Sequence, residues 1–188
     1  MIKHVFLTGP PGVGKTTLVQ KACEALVSSG HAVEGFYTQE VRDGGRRVGF
    51  DVVTVDGQRG PLSRTRDMAA AAPGGREHTV GQYVVDLSSF EHQVLPLFRK
   101  PAPADHRRVF IIDEIGKMEL FSQSFIRAVR NTLDSCTVLG TIPVPKGKPL
   151  ALVEEVRSRA DVKVFTVSKE NRDSLLPQIL SVLQECSS

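Results

Sequence analysis

Hydrophobic positions along the chain follow two periods in turn. Val5-Phe6-Leu7, Val109-Phe110-Ile111-Ile112, Val138-Leu139-Gly140-Thr141-Ile142 and Val162-Lys163-Val164-Phe165 are short apolar runs, the pattern of buried strands. Between and after them the spacing becomes helical. Leu18, Val19, Ala22 and Leu26 mark one helix, which Gly30 closes. Residues 89–98 form a second, and Phe121, Phe125, Val129 and Leu133 a third. Leu176, Ile179, Leu180 and Leu183 mark the last, begun near Asn171 or Asp173 with Pro177 in its first turn. Residues 33–42 and 48–55 read as a strand pair around the turn Asp43-Gly44-Gly45, with a further turn at Asp56-Gly57. Residues 81–86 add a strand, residues 65–78 read as a mobile surface loop or a lid, and Pro101 and Pro103 as a linker. Alternating strands and helices predict a three-layer α/β domain over residues 1–188. Its sheet is mostly parallel, with an antiparallel hairpin extension at the edge.

Composition narrows the class without changing it. The chain has 188 residues, 40% hydrophobic and 24% charged, enough for one globular core. No apolar run approaches the ~20 residues of a membrane span, and Met1-Ile2-Lys3 leads directly into the first strand, so no membrane or targeting segment is expected. Three scattered cysteines, Cys23, Cys136 and Cys186, lack C-x-x-C spacing, which points to a reducing, cytoplasmic setting. The five histidines show no ligand spacing and read as structural or surface residues. Net charge is +3, too little to imply a nucleic-acid partner. Six arginines between Arg42 and Arg66 face only Asp43, Asp51 and Asp56 in that window. A solvated hairpin face is favoured there over a polynucleotide-facing patch.

The chemistry begins at residues 9–16. Gly9, Gly14, Lys15 and Thr16 fit G-x-x-x-x-G-K-[ST], the phosphate-binding P-loop or Walker A motif, here between a strand and a helix as the motif requires. Gly9, Pro10, Pro11, Gly12, Val13, Gly14, Lys15, Thr16 and Thr17 are the candidate nucleotide-binding residues. Backbone N–H groups and the positive end of the helix would face phosphates. Lys15 would reach the β- and γ-phosphates, and Thr16 would ligate Mg²⁺. Asp113, at the end of the 109–112 strand, fits the Walker B aspartate, the second metal ligand. Glu114 beside it can orient or deprotonate an attacking water, which favours turnover over a switch; its plainer roles are an N-cap or an ion pair with Lys117. Candidates for a second cation are Lys117, the hairpin arginines Arg42, Arg46 and Arg47, and the basic set Lys146, Lys148, Arg157 and Arg159. Thr141 could sense a γ-phosphate or be a plain strand residue. Asn171 and Arg172 could meet a base or ribose, with a helix N-cap the favoured alternative.

Several blocks together resemble the cancer-related nucleoside-triphosphatase family. They are residues 9–17, 35–42, 44–51 and 80–86, then Ile112-Asp113-Glu114-Ile115-Gly116-Lys117-Met118-Glu119-Leu120, Gly140-Thr141-Ile142-Pro143 and Lys169-Glu170-Asn171-Arg172. The resemblance is not recognisable at residues 65–78 and 100–107. It implies a RecA-like P-loop fold and slow Mg²⁺-dependent hydrolysis of ATP, GTP, CTP, UTP and TTP. The leading expectation is a monomeric hydrolase with Lys15 and Glu114 as catalytic residues. The alternatives are a small-molecule or nucleic-acid-end kinase using the same site and, less favoured, a nucleotide-gated module docking on nucleic acid.

Overall fold

Parity along each strand builds the core. In β1 (His4–Thr8) every residue is buried, so both faces of the strand must be covered. Val5 and Leu7 face one side, where α1 (Lys15–Ser28) and α5 (Arg172–Cys186) supply Leu18, Val19, Leu26, Leu175, Ile179 and Leu183. Phe6 points the other way, into the larger cluster. There α2 (Leu87–Phe98) and α3 (Gln123–Ser135) bring Phe90, Val94, Phe125 and Val129, and α4 (Ala151–Ser158) brings Leu152 and Val156. Helices on both faces of a sheet make the expected three-layer α/β architecture. The computed structural model describes residues 1–69, 77–100 and 107–186.

Among the described residues the sheet has nine strands. Besides β1 they are β2 (Ala32–Asp43), β3 (Arg46–Thr54), β4 (Arg59–Thr65), β5 (His78–Val80), β6 (Tyr83–Val85), β7 (Arg108–Ile112), β8 (Thr137–Thr141) and β9 (Val162–Thr166). Their order is β5-β6-β4-β3-β2-β7-β8-β1-β9. From β2 to β9 the pairings are parallel, and from β2 outward through β3, β4, β6 and β5 they are antiparallel. Strand β2 therefore joins the two halves: its start pairs with β7 and its later part with β3.

The antiparallel extension is larger than the hairpin expected from the sequence. Strand β4 escaped prediction because Gly60 and Pro61 interrupt it. Pro61 is accommodated where the β3–β4 register shifts between Phe50 and Asp51, a place that does not need its missing N–H. The segment read as a surface loop over 65–78 is bounded by strand at both ends, Thr65 closing β4 and His78 opening β5. Its residues 70–76 lie outside the described residues, as do the expected Pro101/Pro103 linker and His106. Two helix boundaries also differ. Phe121 sits in a 3₁₀ turn (Glu119–Phe121) ahead of α3, whose N-cap Ser122 accepts from the Phe125 N–H at 3.1 Å. Pro177 falls in the second turn of α5 rather than the first, since that helix begins at Arg172.

Candidate active site

The sharp turn from β1 into α1 is made by glycine. Gly14 stands immediately before α1 with φ of 106°, a left-handed conformation that side-chain-bearing residues rarely adopt. The first turn of α1 contains no acidic residue, so its free N–H groups and positive dipole end stay available to an anion. The Lys15 ammonium folds back over the loop and donates to the Gly9 carbonyl at 2.7 Å. From behind, Arg172 at the start of α5 donates to the Val13 carbonyl at 3.3 Å.

Two strands away in the sheet, β7 ends at the same level. Thr16 Oγ1 donates to Asp113 Oδ2 at 2.7 Å, and Thr141 Oγ1, at the end of β8, donates to Asp113 Oδ1 at 2.6 Å. Burial pushes the Asp113 carboxyl above its ordinary pKa, while the two threonine hydrogen bonds and the Lys15 charge pull it back. Glu114 is likewise raised by burial, with Lys15 opposing and Asp113 adding to the shift. A raised carboxylate is the stronger base at neutral pH. The sequence-predicted Lys15, Thr16, Asp113 and Glu114 thus converge, although 97 positions separate Thr16 from Asp113.

These four side chains line a cavity of about 680 Å³. Its floor is the P-loop with Thr17 and Gln20, and its far wall is the β2–β3 hairpin, with Glu40, Arg47 and Phe50. Pro143, Val144 and Lys146 close the third side. A smaller cavity, about 280 Å³, lies against the other flank of the loop between Pro10-Pro11-Gly12-Val13 and Ser168-Lys169-Glu170.

The remaining candidates are placed as follows. Arg42 is tied to Glu40 at 3.1 Å and to the Gly45 carbonyl at 3.0 Å and is not among the cavity's lining residues. Arg47 is among them; it pairs with Glu40 at 3.1 Å, donates to the Tyr83 hydroxyl at 2.8 Å and packs over the Phe50 ring. Lys117 is exposed and outside the lining. Thr141 is fully buried behind Asp113, so it acts on that carboxylate rather than facing the cavity. Asn171 accepts from the Ser168 N–H at 2.8 Å and donates to the Thr166 carbonyl at 2.8 Å, which makes it a turn-former. In the basic segment, Lys146 reaches the cavity, Arg157 donates to the Pro143 carbonyl and Arg159 pairs with Asp161.

Thr16 and Asp113 suit a hard divalent cation. They offer a hydroxyl and a carboxylate oxygen already in contact, and among the described residues no cluster of three His, Cys, Asp or Glu side chains competes for a metal. Magnesium typically takes only one or two protein carboxylates and completes its shell with water and phosphate.

A family model described as NTPase matches residues 4–180. The human cancer-related nucleoside-triphosphatase is 64% identical over 188 residues, covering 98% of each chain. The solution structure of a human cancer-related nucleoside triphosphatase, 65% identical, superposes with a TM-score of 0.83 over 97% of this chain and 98% of that one. The crystal structure of THEP1 from Aquifex aeolicus, 38% identical, gives 0.81 over 96% of this chain and 99% of that one.

Proposed function

The chain belongs to the NTPase family, and on that premise we propose that it is a Mg²⁺-dependent nucleoside-triphosphatase that transfers the γ-phosphoryl group to water. The observation that carries this reading is the Thr16–Asp113 hydrogen bond beside Lys15 and Glu114 on one cavity. Thr16 and Asp113 would hold Mg²⁺, which when bound supplies positive charge to the phosphate oxygens. The P-loop N–H groups cradle the phosphates, and Lys15 exchanges the Gly9 carbonyl for phosphate oxygens. Glu114 takes a proton from the attacking water as the new bond to phosphorus forms and the bond to the leaving diphosphate oxygen breaks. Glycine, lysine and threonine contacts of this kind meet phosphates that every nucleotide shares. Broad use of ATP, GTP, CTP, UTP and TTP follows.

Slow turnover is part of the same reading. Arg47 lines the cavity with its guanidinium engaged by Glu40 and Tyr83, which leaves the lysines Lys15, on the P-loop, and Lys146, on the opposite side, as the cations open to the transferring phosphate. Free thiols at Cys23, Cys136 and Cys186 suit a cytoplasmic setting.

The deciding experiment is acceptor-free phosphate release from ATP, GTP, CTP and UTP with Mg²⁺, for the parent and Glu114→Gln side by side. Comparable release from all four, falling by roughly 10²-fold or more in the variant while nucleotide still binds, is the expected result. Nucleotide binding without release by the parent would sink the hydrolase reading, and an unchanged rate in Glu114→Gln would sink the assignment of the base.

A further inference from the structure

The two lysines open on the cavity are not held alike. Lys15 already has a partner, the Gly9 carbonyl at 2.7 Å. Lys146 is exposed and lines the same cavity, and among the described residues its ammonium makes no hydrogen bond or ion pair. The other basic side chains around it are committed. Arg157 donates to the Pro143 carbonyl at 3.2 Å, Arg159 pairs with Asp161 at 2.9 Å and Arg47 with Glu40 at 3.1 Å.

The segment that carries Lys146 is fastened to the strand that feeds the P-loop. The Ile142 N–H donates to the Leu7 carbonyl at 2.9 Å, just ahead of Gly9, and Arg157 of α4 holds the next carbonyl, that of Pro143. Pro143, Pro145 and Pro149 then restrict the backbone, and Gly147 turns it with a φ of 63°. Val144 and Lys146, two residues apart, line the cavity, whereas Pro145 and Lys148 do not, as alternation along an extended chain requires. One lysine of the pair is thus brought to the site and the other is kept off it. A stiff backbone also leaves less freedom to be lost when the ammonium meets a ligand.

The charges of the lining point the same way. They are three cations, Lys15, Arg47 and Lys146, and three carboxylates, Glu40, Asp113 and Glu114. Glu40 answers Arg47. Transfer of a γ-phosphoryl group spreads negative charge over its equatorial oxygens, and cations set around those oxygens in advance lower the barrier. Lys15 meets that charge from the P-loop, and Lys146 is the cation able to meet it from the side closed by Pro143 and Val144.

We propose that Lys146 is a further catalytic residue: its ammonium reaches the γ-phosphoryl oxygens from the third side of the cavity and neutralises charge that grows on them in the transition state. The inference rests on the proposed hydrolysis of the γ-phosphate at this site. Such a role slows the chemical step when removed and spares the affinity for MgADP, which lacks the γ-phosphoryl group.

The test compares Lys146→Met, Lys146→Arg and Lys148→Met with the parent. It reads kcat and KM for MgATP, melting temperature, and affinity for MgADP alone and with aluminium fluoride, a planar stand-in for the phosphoryl group in transfer. Lys146→Met keeps the bulk of the side chain and removes its charge; kcat should fall roughly tenfold or more, and the aluminium fluoride complex should weaken by a similar factor. MgADP affinity and melting temperature should stay parental. Lys146→Arg keeps the charge and should lose less than Lys146→Met. Lys148→Met removes an equal charge away from the lining, where solvent and salt screen it, and should hold kcat within about twofold of the parent. Equal losses in the two methionine variants would reduce the effect to the general field of a basic loop and overturn the inference. A parental kcat in Lys146→Met, or MgADP affinity falling as far as kcat, would overturn it as well. A parent that binds nucleotide without releasing phosphate would sink the hydrolase reading and this inference with it, whereas steady release indifferent to Lys146 would sink the inference alone.

Discussion

The Thr141 hydroxyl donates to Asp113 Oδ1 across 2.6 Å, from the end of one parallel strand to the end of its neighbour. With Thr16 on Oδ2, both oxygens of a buried carboxylate are held by hydroxyl donors. Hydrogen bonds to the charged form favour it, and here they oppose the upward shift that burial imposes on the carboxyl. Partners behind a metal-binding carboxylate also set its orientation.

Thr141→Val keeps the shape and removes the donor. The Mg²⁺ concentration giving half-maximal hydrolysis should rise by about tenfold or more, the usual cost of losing a partner behind a ligand. A metal titration of phosphate release reads this directly. An unchanged midpoint would mean that Thr141 only packs.

The aromatic cluster on the Phe6 side of the sheet makes a separate prediction about stability. Phe125 is fully buried and meets Phe36, Phe90 and Phe98 edge-on, with ring centroids 6.0, 5.1 and 5.9 Å away. Phe125→Ala should cost about 3–5 kcal/mol, seen as a lower denaturant midpoint. Val27→Ala, at a position 55% exposed, should stay within about 0.5 kcal/mol of the parent.

The hairpin arginines bear on partners. Arg42 and Arg47 pair with Glu40, Arg46 with Asp67, Arg59 and Arg64 with Asp51, and Arg66 with Glu77. Each guanidinium thus has a carboxylate partner within the chain, with Glu40 and Asp51 each shared by two arginines. Polynucleotide binding should be no tighter than the nonspecific range of about 10⁻⁴–10⁻⁶ M at physiological salt, and a double Arg42→Ala, Arg46→Ala variant should not change it. Tight binding, weakened by that variant, would restore the nucleic-acid reading.

Those pairings also show where sequence reading stops. Glu40, Asp67 and Glu77 lie outside the 42–66 window, so local charge counting could not see them; antiparallel pairing brings them in. The P-loop and Asp113-Glu114 were legible because short-range rules govern both: a fixed spacing between strand and helix, and acids at the end of an apolar strand. Strand β4 was hidden by Pro61, whose tolerance depends on a register shift across the sheet. Helix α4 is only eight residues long and follows Pro143, Pro145 and Pro149, too brief for its period to stand out. Glu119 had no local signal of burial at all, since Lys117 two positions earlier is exposed. What remained illegible was mostly tertiary.

His4 connects the core to pH. Its Nδ1 accepts from the Val138 N–H at 3.0 Å, so the proton sits on Nε2, which donates to the Leu133 carbonyl at 2.9 Å. Protonation would set a second N–H against that of Val138. Burial lowers the pKa, and although Asp161 at 3.6 Å pulls upward, Arg159 and Lys3 oppose it and the net shift is down. The unfolded chain then takes up the proton first, near pH ~6.5, so the stability His4 contributes is full above that pH and is lost as pH falls below it. Glu119, whose folded pKa is raised, contributes with the opposite sign. Its effect is common to parent and variant and cancels in their difference. The unfolding free energies of parent and His4→Gln should therefore draw together as pH is lowered from about 7.5 to about 5.5. A gap that stays constant across that interval would show that the ring does not titrate differently in the fold.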